Sequence, residues 1–388
     1  MKHVLQNLWP GFFATILIPL MALIFQCACA AKANPRDVKM FDTNPPILKI
    51  LNYNVWHGLN PTSILRFGQY ESAHQRELRY AGFLAQARAF DPDVLLLQEV
   101  NPAPSMSRRI ARDLGLDVVW QIDNSGVKLG PIGLPSNLRS GLTTLARKGL
   151  DLKKVGAKKL SGPRGLCNDW VTWQFDEFRY LLAATITVKG REILLLNTHL
   201  HHGPELTLRT RQAMDSLVKE GVITKERAGE ILGVIGKASD RRRRELETVM
   251  NYVQSRGHWS SPTIFAGDFN ASPDAAELMW MKNDLGFQSM TVDESAKDFF
   301  FTWDWERNKN THQIDSFVPV NSFAEAQVNQ AIHDLEIGLS RRIDYILFRN
   351  AAGVFKVQDS GLFGAALQDG RMASDHFGIW AKLMMDYK

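Results

Sequence analysis

Several apolar runs in this sequence end in, or lead out of, side chains that can hold a cation or move a proton. The run Leu95-Leu96-Leu97, for example, leads directly into Gln98-Glu99. A carboxylate at the end of a buried strand is costly unless it is paired or binds a metal ion. One such residue is usually a turn or a helix cap, but a series of them indicates a site. The series comprises Asn54, Glu99, His199, Asp268, Asn270, Asp344, Asp375 and His376.

This series favours the chemistry of a divalent cation bound by oxygen. If the strand ends lie together, they form an acidic site rich in carboxylate and amide oxygens that also holds two imidazoles. Such ligands suit Mg²⁺, Mn²⁺ or Ca²⁺ better than zinc, which would want more His or Cys. A bound Mg²⁺ commonly keeps positions for water and for a substrate phosphate.

The segments that must position these residues alternate between strand-like and helix-like patterns. Strand segments rich in Val, Ile, Leu and aromatic residues are predicted at 47–56, 93–100, 141–146, 171–175, 180–188, 191–199, 263–269, 342–348 and 377–384. Lys189-Gly190 separates two of them by a spacing that suits a tight antiparallel hairpin. Strands with helices between them and a hairpin indicate an α/β domain with a mixed sheet.

Two apolar stripes with helical spacing lie between the strands. Residues 80–87 carry one stripe, and residues 246–253 carry the other, with a predicted helix cap at Ser239 or Asp240. Residues 203–237 carry two further helical patterns, which we interpret as a helical insertion. The run Arg241-Arg242-Arg243-Arg244 at its exit predicts a solvated helix face, or alternatively a patch that faces phosphate or a membrane.

In order along the chain, six short segments resemble the motifs of the endonuclease/exonuclease/phosphatase superfamily. They are Asn54-Val55-Trp56, Gln98-Glu99-Val100, Asn197-Thr198-His199-Leu200, Gly267-Asp268-Phe269-Asn270, Arg342-Ile343-Asp344-Tyr345 and Ser374-Asp375-His376-Phe377. Each segment is weak alone, but six in the family order, within about residues 47–385, are specific. The superfamily includes deoxyribonuclease-type nucleases, sphingomyelinases and inositol-polyphosphate 5-phosphatases. Trp56 stands where apurinic endonucleases typically carry Asp, which disfavours an abasic-site repair enzyme.

The resemblance implies a four-layer α/β sandwich, in which two packed mixed β-sheets are flanked by helices. The active site would lie at one edge, where the loops at the strand ends meet. Glu99 would be the principal metal ligand, with Asn54 and Asp375 near the same ion. The cofactor would be Mg²⁺, with Mn²⁺ or Ca²⁺ as alternatives.

The remaining motif residues would perform the chemistry at phosphorus. By the same resemblance, Asp268 would orient or deprotonate the attacking water, and Asn270 would hold that water or a phosphate oxygen. His199, and His376 oriented by Asp344, would donate to the phosphate. This division is physically sensible, because displacement at phosphorus chiefly needs charge neutralisation and a positioned base.

The N-terminal residues have the pattern of an export signal. Lys2 precedes residues 8–25, which contain no charged residue, and small residues follow up to Ala33. We predict an export signal at 1–30, a linker at 31–46 and a catalytic domain at 47–388. The protein would then be secreted or periplasmic, or tethered to a membrane if the apolar segment is retained.

The composition narrows the partners and excludes some site types. A net charge of +5 favours anionic partners, without choosing among nucleic acid, a membrane surface and a phosphorylated small molecule. Cys27 and Cys29 lie in the signal, so Cys167 alone would remain, which excludes a disulfide framework and a cysteine zinc site. No obligate protein partner is evident.

The leading hypothesis is an exported Mg²⁺-dependent phosphodiesterase that acts on nucleic acid or on a phospholipid headgroup such as that of sphingomyelin. One alternative is a phosphomonoesterase acting on an inositol phosphate. Another is a non-catalytic binding module, against which the complete polar set argues. A lipid enzyme would contact a membrane surface, for which residues 203–237 are the sizeable candidate. Candidates for an aromatic rim around the substrate are Trp170, Trp173, Trp303 and Trp305.

Overall fold

The computed structural model describes residues 47–385 except 61–68, 126, 130–131, 135–138, 163–164, 168–170, 175–177, 292–299, 313–325, 329, 332–333, 335–339, 350–353 and 365–371. The proposed signal and linker and Trp170 lie outside the described residues. The described residues belong to the unit Lys39–Lys388, one of two into which the chain divides.

The described strands, in chain order, are β1 (Ile47–Asn54), β2 (Leu59–Asn60), β3 (Gln69–Tyr70), β4 (Val94–Gln98), β5 (Leu116–Asn124), β6 (Val127–Leu129), β7 (Ile132–Leu134), β8 (Ser140–Arg147), β9 (Lys153–Ser161), β10 (Leu166–Cys167), β11 (Val171–Trp173), β12 (Arg179–Val188), β13 (Arg191–His199), β14 (Thr263–Asp268), β15 (Gln288–Ser289), β16 (Asp344–Arg349), β17 (Phe355–Phe363) and β18 (Gly378–Met385). The described α-helices are α1 (Ala73–Phe90), α2 (Ala103–Leu114), α3 (Leu208–Lys219), α4 (Lys225–Ser255) and α5 (Ala276–Asn283), and Lys309–His312 forms a 3₁₀ turn.

Most of these strands form two six-stranded mixed sheets. Sheet 1 has the order β17-β18-β1-β4-β8-β5, and sheet 2 has the order β15-β16-β14-β13-β12-β9. In each sheet one central pair is parallel, β1 with β4 and β13 with β14, and the other pairs are antiparallel. The predicted hairpin is confirmed, because Val188 of β12 pairs with Arg191 of β13 across Lys189-Gly190.

The two sheets pack face to face, with helices on their outer faces. Leu48 and Ile50 of β1 lie in the core between the sheets, whereas Leu51 and Tyr53 pack against α1 and α2. Successive residues of a strand point to opposite faces, so a strand covered on both faces reads as a continuous apolar run. On the far side, α4 and α5 cover sheet 2. The four-layer α/β sandwich implied by the resemblance is therefore confirmed.

One helix differs from its prediction. The 31-residue helix α4 continues through Ser239 and Asp240, and its cap is Thr224, whose side chain accepts a hydrogen bond from the backbone nitrogen of Arg227. The predicted cap is wrong because the apolar stripe does not stop there. Ile231 and Ile235 are buried against α3, and the stripe continues to the residues that cover sheet 2.

The run of four arginines is not a uniform solvated face. Arg242 is fully buried and donates to the carboxylate of Glu277 at 2.6 Å. Arg243 pairs with Glu247 at 2.9 Å and lies over the Trp280 ring. Consecutive helix residues point in different directions, which distributes the four side chains between core and surface.

In the described part of the chain, no helix is both long enough and apolar enough to cross a membrane.

Candidate active site

The polarity of the strands brings the polar series to one edge of the sandwich. β13 and β14 are parallel and β16 runs antiparallel to them, so that His199, Asp268 and Asp344 are direct cross-strand neighbours. In sheet 1, β1 and β4 end at the same edge as neighbours, and Asp375 and His376 precede β18, which runs back from that edge. The C-terminal ends of β1, β4, β13 and β14 therefore meet the N-terminal ends of β16 and β18 at this edge.

Unusual backbone conformations occur at this edge. Trp56, Glu99 and Asn270 have φ values of 55°, 58° and 48°, in the left-handed region that non-glycine residues rarely adopt. Each follows a strand end by one or two residues. Such conformations cost free energy and persist where the surrounding contacts impose them, often at functional sites.

Asp268 lies between two imidazoles. Its Oδ2 is 3.4 Å from Nε2 of His199 and 3.7 Å from Nε2 of His376. Nδ1 of His376 is 2.8 Å from Oδ2 of Asp344, whose backbone nitrogen donates to the hydroxyl of Thr302 at 3.1 Å. Asp344 therefore fixes which nitrogen of His376 faces Asp268.

Burial and neighbouring charges shift the pKa values of Asp268 and His376. Burial and the charge of Asp344 raise the pKa of Asp268 to about 7, although His376 acts in the opposite direction. Burial acts against the charged form of His376, but the carboxylates of Asp344 and Asp268 raise its pKa well above the usual value. The cluster thus combines an imidazolium donor with a carboxyl group that can exchange a proton near neutral pH.

Glu99 has both carboxylate oxygens engaged. Oε1 accepts from Nδ2 of Asn54 at 3.1 Å, and Oε2 accepts from the backbone nitrogen of His57 at 3.0 Å. Burial opposes ionisation, but the imidazoles of His57 and His199 and these two hydrogen bonds lower the pKa of Glu99 to about 2. Glu99 is therefore a permanent anion at this edge.

Asp375 is the second carboxylate of the proposed metal pair. Burial raises its pKa, and the charge of nearby Glu99 adds to that effect against the influence of His376. Its Oδ1 accepts from the hydroxyl of Ser374 at 3.1 Å, which also donates to the backbone oxygen of Asn54 at 2.7 Å. Two repelling carboxylates at a partly exposed edge fit a divalent cation, which would relieve the repulsion.

Asn54 is oriented as a donor. Its Oδ1 accepts from the backbone nitrogen of Trp56 at 3.0 Å, so the amide nitrogen must face the site. That nitrogen donates to Glu99 at 3.1 Å and to Asp268 at 3.0 Å. Asn54 thus links Glu99, the predicted metal ligand, with Asp268, the predicted base. Its own role as a metal ligand remains a prediction.

Asn270 supports Asp268 from the next loop. Its backbone nitrogen donates to Oδ1 of Asp268 at 2.9 Å, and its side-chain nitrogen donates to the backbone oxygen of Leu200 at 3.1 Å. Its predicted contact with water or a phosphate oxygen remains a prediction. Among the described residues, the group of three acidic or histidine side chains whose ligand atoms all lie within 4.8 Å of one another is Asp268, Asp344 and His376, and it does not include Glu99 or Asp375.

Three fully buried amides lie beneath the site and join the sheets. Nε2 of Gln98 donates to Oδ1 of Asn52 at 2.9 Å and to Oδ1 of Asn197 at 2.8 Å. Nδ2 of Asn52 donates across the core to the backbone oxygen of Gly267 at 3.1 Å. Gln98 and Asn197 lie within the motif segments, but no role was predicted for them or for Asn52; their signal is a polar residue one or two positions before Asn54, Glu99 and His199.

Of the tryptophans predicted to form an aromatic rim, Trp303 contacts a site residue. Trp303 packs edge-on against His376, with ring centroids 5.3 Å apart. Trp173 is 56% exposed on β11, and Trp305 is half-buried.

The packing beside Asp268 predicts a strict requirement for glycine. A Cβ atom at Gly267 would lie 2.1 Å from the backbone oxygen of Thr198 on the paired strand. We expect Gly267→Ala to lower the free energy of unfolding by about 1 to 3 kcal/mol or more, because backbone must move. Gly233→Ala in α4 is the matched control, since nothing lies within 4 Å of its Cβ position. Urea denaturation would measure both, and equal stabilities would contradict the packing argument.

The sequence matches the model of the Endonuclease/Exonuclease/phosphatase family over residues 51–376. Truncated TDP2 from Caenorhabditis elegans has a similar structure (TM-score 0.52, 16% identity, covering 90% of this chain and 100% of that one). The human nocturnin catalytic domain gives a TM-score of 0.50 at 15% identity, over 88% of this chain and 95% of that one. An endonuclease/exonuclease/phosphatase from Bacteroides vulgatus gives 0.52 at 13%, over 88% and 100%. A comparison with curated proteins gives no match.

Proposed function

The chain belongs to the endonuclease/exonuclease/phosphatase family, whose members are phosphoesterases, and from that premise we propose that it is an exported, divalent-metal-dependent phosphodiesterase. The observation that carries the proposal is the position of Asp268 between His199 and His376, with Glu99 joined to it through Asn54. This arrangement suits attack of water on phosphorus, because a base lies within 3.4 to 3.7 Å of two donors.

Each side chain has a defined task in this mechanism. Asp268 orients the attacking water and takes its proton, for which a pKa near neutrality is suited. His199 and His376 donate to phosphoryl oxygens as negative charge develops, and Asp344 accepts from Nδ1 of His376 and leaves Nε2 to donate. Asn270 holds Asp268 through its backbone nitrogen.

Glu99 and Asp375 are the residues that would hold the metal ion, and Mg²⁺ is the proposed cofactor. Enzymes of this family depend on divalent metals, and oxygen ligands suit Mg²⁺, Mn²⁺ and Ca²⁺. When bound, the ion would supply Lewis-acid polarisation of a phosphoryl oxygen. The ionised state of Glu99 supports the assignment, because a ligand must be deprotonated.

Nucleic acid is the substrate class that we favour. The edge strand β9 carries exposed Lys153, Lys154 and Lys158, and its pairing with β12 brings its C-terminal end level with His199. Exposed lysines on a strand that ends level with the site suit a polyanionic backbone. Trp303 packs against His376 and so places an aromatic ring beside the site, and nucleic-acid bases stack on such rings.

A phospholipid headgroup is the second candidate. Leu208 on α3 and Val234 on α4 are 70% and 64% exposed, within the predicted insertion. Exposed apolar side chains on a helix pair are what insertion into a membrane surface requires. The proposal of export itself rests on the pattern of residues 1–30.

The deciding experiment is a metal-dependent activity screen of the purified protein. DNA, RNA, sphingomyelin, phosphatidylcholine and inositol phosphates would be supplied with Mg²⁺, Mn²⁺ or Ca²⁺. We expect cleavage of DNA or RNA that weakens steeply with salt, since each neutralised phosphate adds about 0.9 to the slope of log affinity against log salt for duplex DNA. Release of phosphocholine instead would establish the lipid enzyme, and release of inorganic phosphate would overturn the diesterase. No turnover, unchanged in Glu99→Ala, would favour a binding module.

A further inference from the structure

The side chain of Arg79 on α1 contacts two loops that carry residues of the proposed site. Its Nη1 donates to the backbone oxygens of Val55 at 3.0 Å and Ala373 at 2.6 Å. Its Nη2 donates to the backbone oxygen of Trp56 at 3.2 Å and to Oε1 of Glu71 at 2.5 Å, and its Nε donates to Oε2 of Glu71 at 2.7 Å. These bonds engage all five donors of the guanidinium group, and the side chain is only 15% exposed.

The first of these carbonyl groups shares a peptide bond with the nitrogen that orients Asn54. The oxygen of Val55 accepts from Arg79. The nitrogen of the same peptide group belongs to Trp56 and donates to Oδ1 of Asn54 at 3.0 Å. A trans peptide group is planar, and its C=O and N–H bonds point in opposite directions. The bond from Arg79 to the oxygen therefore sets the direction of the N–H bond, and with it which end of the Asn54 amide faces the site.

The next peptide group repeats the arrangement. The oxygen of Trp56 accepts from Arg79 at 3.2 Å. The nitrogen of that peptide group belongs to His57 and donates to Oε2 of Glu99 at 3.0 Å. Trp56 has a φ of 55°, and this turn directs both carbonyl groups toward Arg79 and both N–H groups toward the site. Arg79 thus acts on Asn54 and Glu99 through two consecutive peptide groups.

The third carbonyl group connects the loop that precedes β18. The oxygen of Ala373 accepts from the same guanidinium, and the next residue, Ser374, donates its hydroxyl to the backbone oxygen of Asn54 at 2.7 Å. Asp375 and His376 follow directly in the chain. One side chain therefore fixes the spacing between the loop after β1 and the loop before β18.

Glu71 holds the guanidinium in this orientation. Its carboxylate accepts two bonds from Arg79 in the bidentate geometry that arginine forms with carboxylates, and its side chain is 7% exposed. Its backbone nitrogen donates to the oxygen of Gly58 at 2.9 Å, which joins it to the same loop. A lysine has three donors and no planar fork, so it would not reproduce this set of bonds.

We propose that Arg79 is a positioning residue of the active site, which sets the orientation of the Asn54 amide and the Glu99 carboxylate through the two peptide groups that follow β1. The proposal rests on the phosphodiesterase function proposed above. It differs from a purely structural role, because loss of the guanidinium would turn two peptide groups in a protein that is still folded. Displacement of groups that act on the transition state lowers kcat more than it changes KM.

The test observes one of these peptide groups directly. Trp56-His57 is the one place in the sequence where histidine follows tryptophan. Protein labelled with ¹³C at the tryptophan carbonyl and ¹⁵N at histidine therefore gives a single HNCO signal in nuclear magnetic resonance, from the group that joins Arg79 to Glu99. We expect Arg79→Ala to shift this signal toward that of an unbonded peptide and to speed exchange of the amide with solvent. Millimolar guanidinium chloride should restore the signal, whereas sodium chloride should not.

Turnover of bis(p-nitrophenyl) phosphate with Mg²⁺ measures the consequence. We expect kcat of Arg79→Ala to fall about 10²-fold with little change in KM, the usual cost of misplaced groups near the reaction. Guanidinium should restore part of kcat, and Arg79→Lys should stay low. Arg88→Ala is the matched control, because Arg88 lies exposed on the same helix and donates to the backbone oxygen of Asp113 at 3.1 Å. It should retain both the signal and kcat, and circular dichroism would confirm that each variant is folded.

Each outcome decides the inference. A Trp56-His57 signal that is unchanged in folded Arg79→Ala, or an unchanged kcat, would overturn it. If Arg79→Ala does not fold, Arg79→Lys, which keeps a cation beside Glu71, gives the same two readouts. Rapid exchange of the His57 amide in the unsubstituted protein would also overturn it, and that measurement needs no variant. A signal that shifts in the variant, when the unsubstituted protein turns over no phosphate ester, would contradict the proposed function and leave the positioning by Arg79 standing.

Discussion

Replacement of Asp268 by asparagine is expected to lower phosphodiester turnover by about 10²- to 10⁴-fold, the usual contribution of a positioned base. Asparagine keeps the shape of the side chain and can still accept from the backbone nitrogen of Asn270. It cannot take a proton from water, and it removes the carboxylate that lies 3.4 Å from His199 and 3.7 Å from His376. His376→Ala is expected to cause a comparable loss by removing a donor to phosphate. Steady-state kinetics with saturating Mg²⁺ would measure both effects.

Folding and activity must be separated in this experiment. Asp359→Asn is a matched control, because Asp359 lies on the edge strand β17 in an exposed pair with Lys382 at 2.9 Å. It should keep near-normal turnover, since exposed pairs contribute little. Circular dichroism should give Asp268→Asn the spectrum of the unsubstituted protein. Near-normal turnover in Asp268→Asn would refute the assignment of Asp268 as the base.

The location of the site was predictable from sequence because two kinds of information agree there. Apolar runs identified the central strands, and polar residues at their ends, such as Glu99 and Asp268, marked one edge. Asp375 and His376 precede β18, whereas Asn54 and Glu99 lie at the C-terminal ends of β1 and β4. All four reach the same edge because β18 runs antiparallel to β1. The roles assigned to these residues remain predictions.

The edge strands were not predictable in the same way. β5, β9 and β17 lie at the borders of their sheets and were missed. An edge strand is paired on one side and partly exposed, so it needs no continuous apolar run. The segment KKVGAKKLS of β9 shows this, because two pairs of lysines flank a short stretch of small and apolar residues.

Contacts between distant segments were also beyond the sequence. The hydrogen bond from Asn52 to Gly267 joins residues 215 positions apart, and nothing local encodes it. The orientation of Asn54 likewise depends on Trp56, whose left-handed backbone turns its nitrogen toward the Asn54 amide. Sequence patterns identify which side chains reach an edge, whereas hydrogen-bond direction is set by the assembled edge.

The second large effect concerns stability and the four-arginine run. Arg242 and Glu277 have side chains that are 0% and 1% exposed and form an ion pair at 2.6 Å. Arg242 also donates to the backbone oxygen of Gly203 at 3.2 Å and to the hydroxyl of Ser239 at 3.1 Å. It therefore ties α4 to α5 and to the loop that follows His199.

Arg242→Met is expected to lower the free energy of unfolding by about 3 to 5 kcal/mol, because it leaves Glu277 buried without its partner. The double variant Arg242→Met/Glu277→Leu should recover most of this loss, since an apolar pair of similar volume is often neutral relative to a buried ion pair. Arg227→Met on the same helix breaks an exposed pair with Glu230 and should cost about 0 to 1 kcal/mol. Urea denaturation followed by circular dichroism would measure all three. Equal stabilities of Arg242→Met and Arg227→Met would mean that Arg242 belongs to a solvated face after all, as the unbroken arginine run in the sequence suggests.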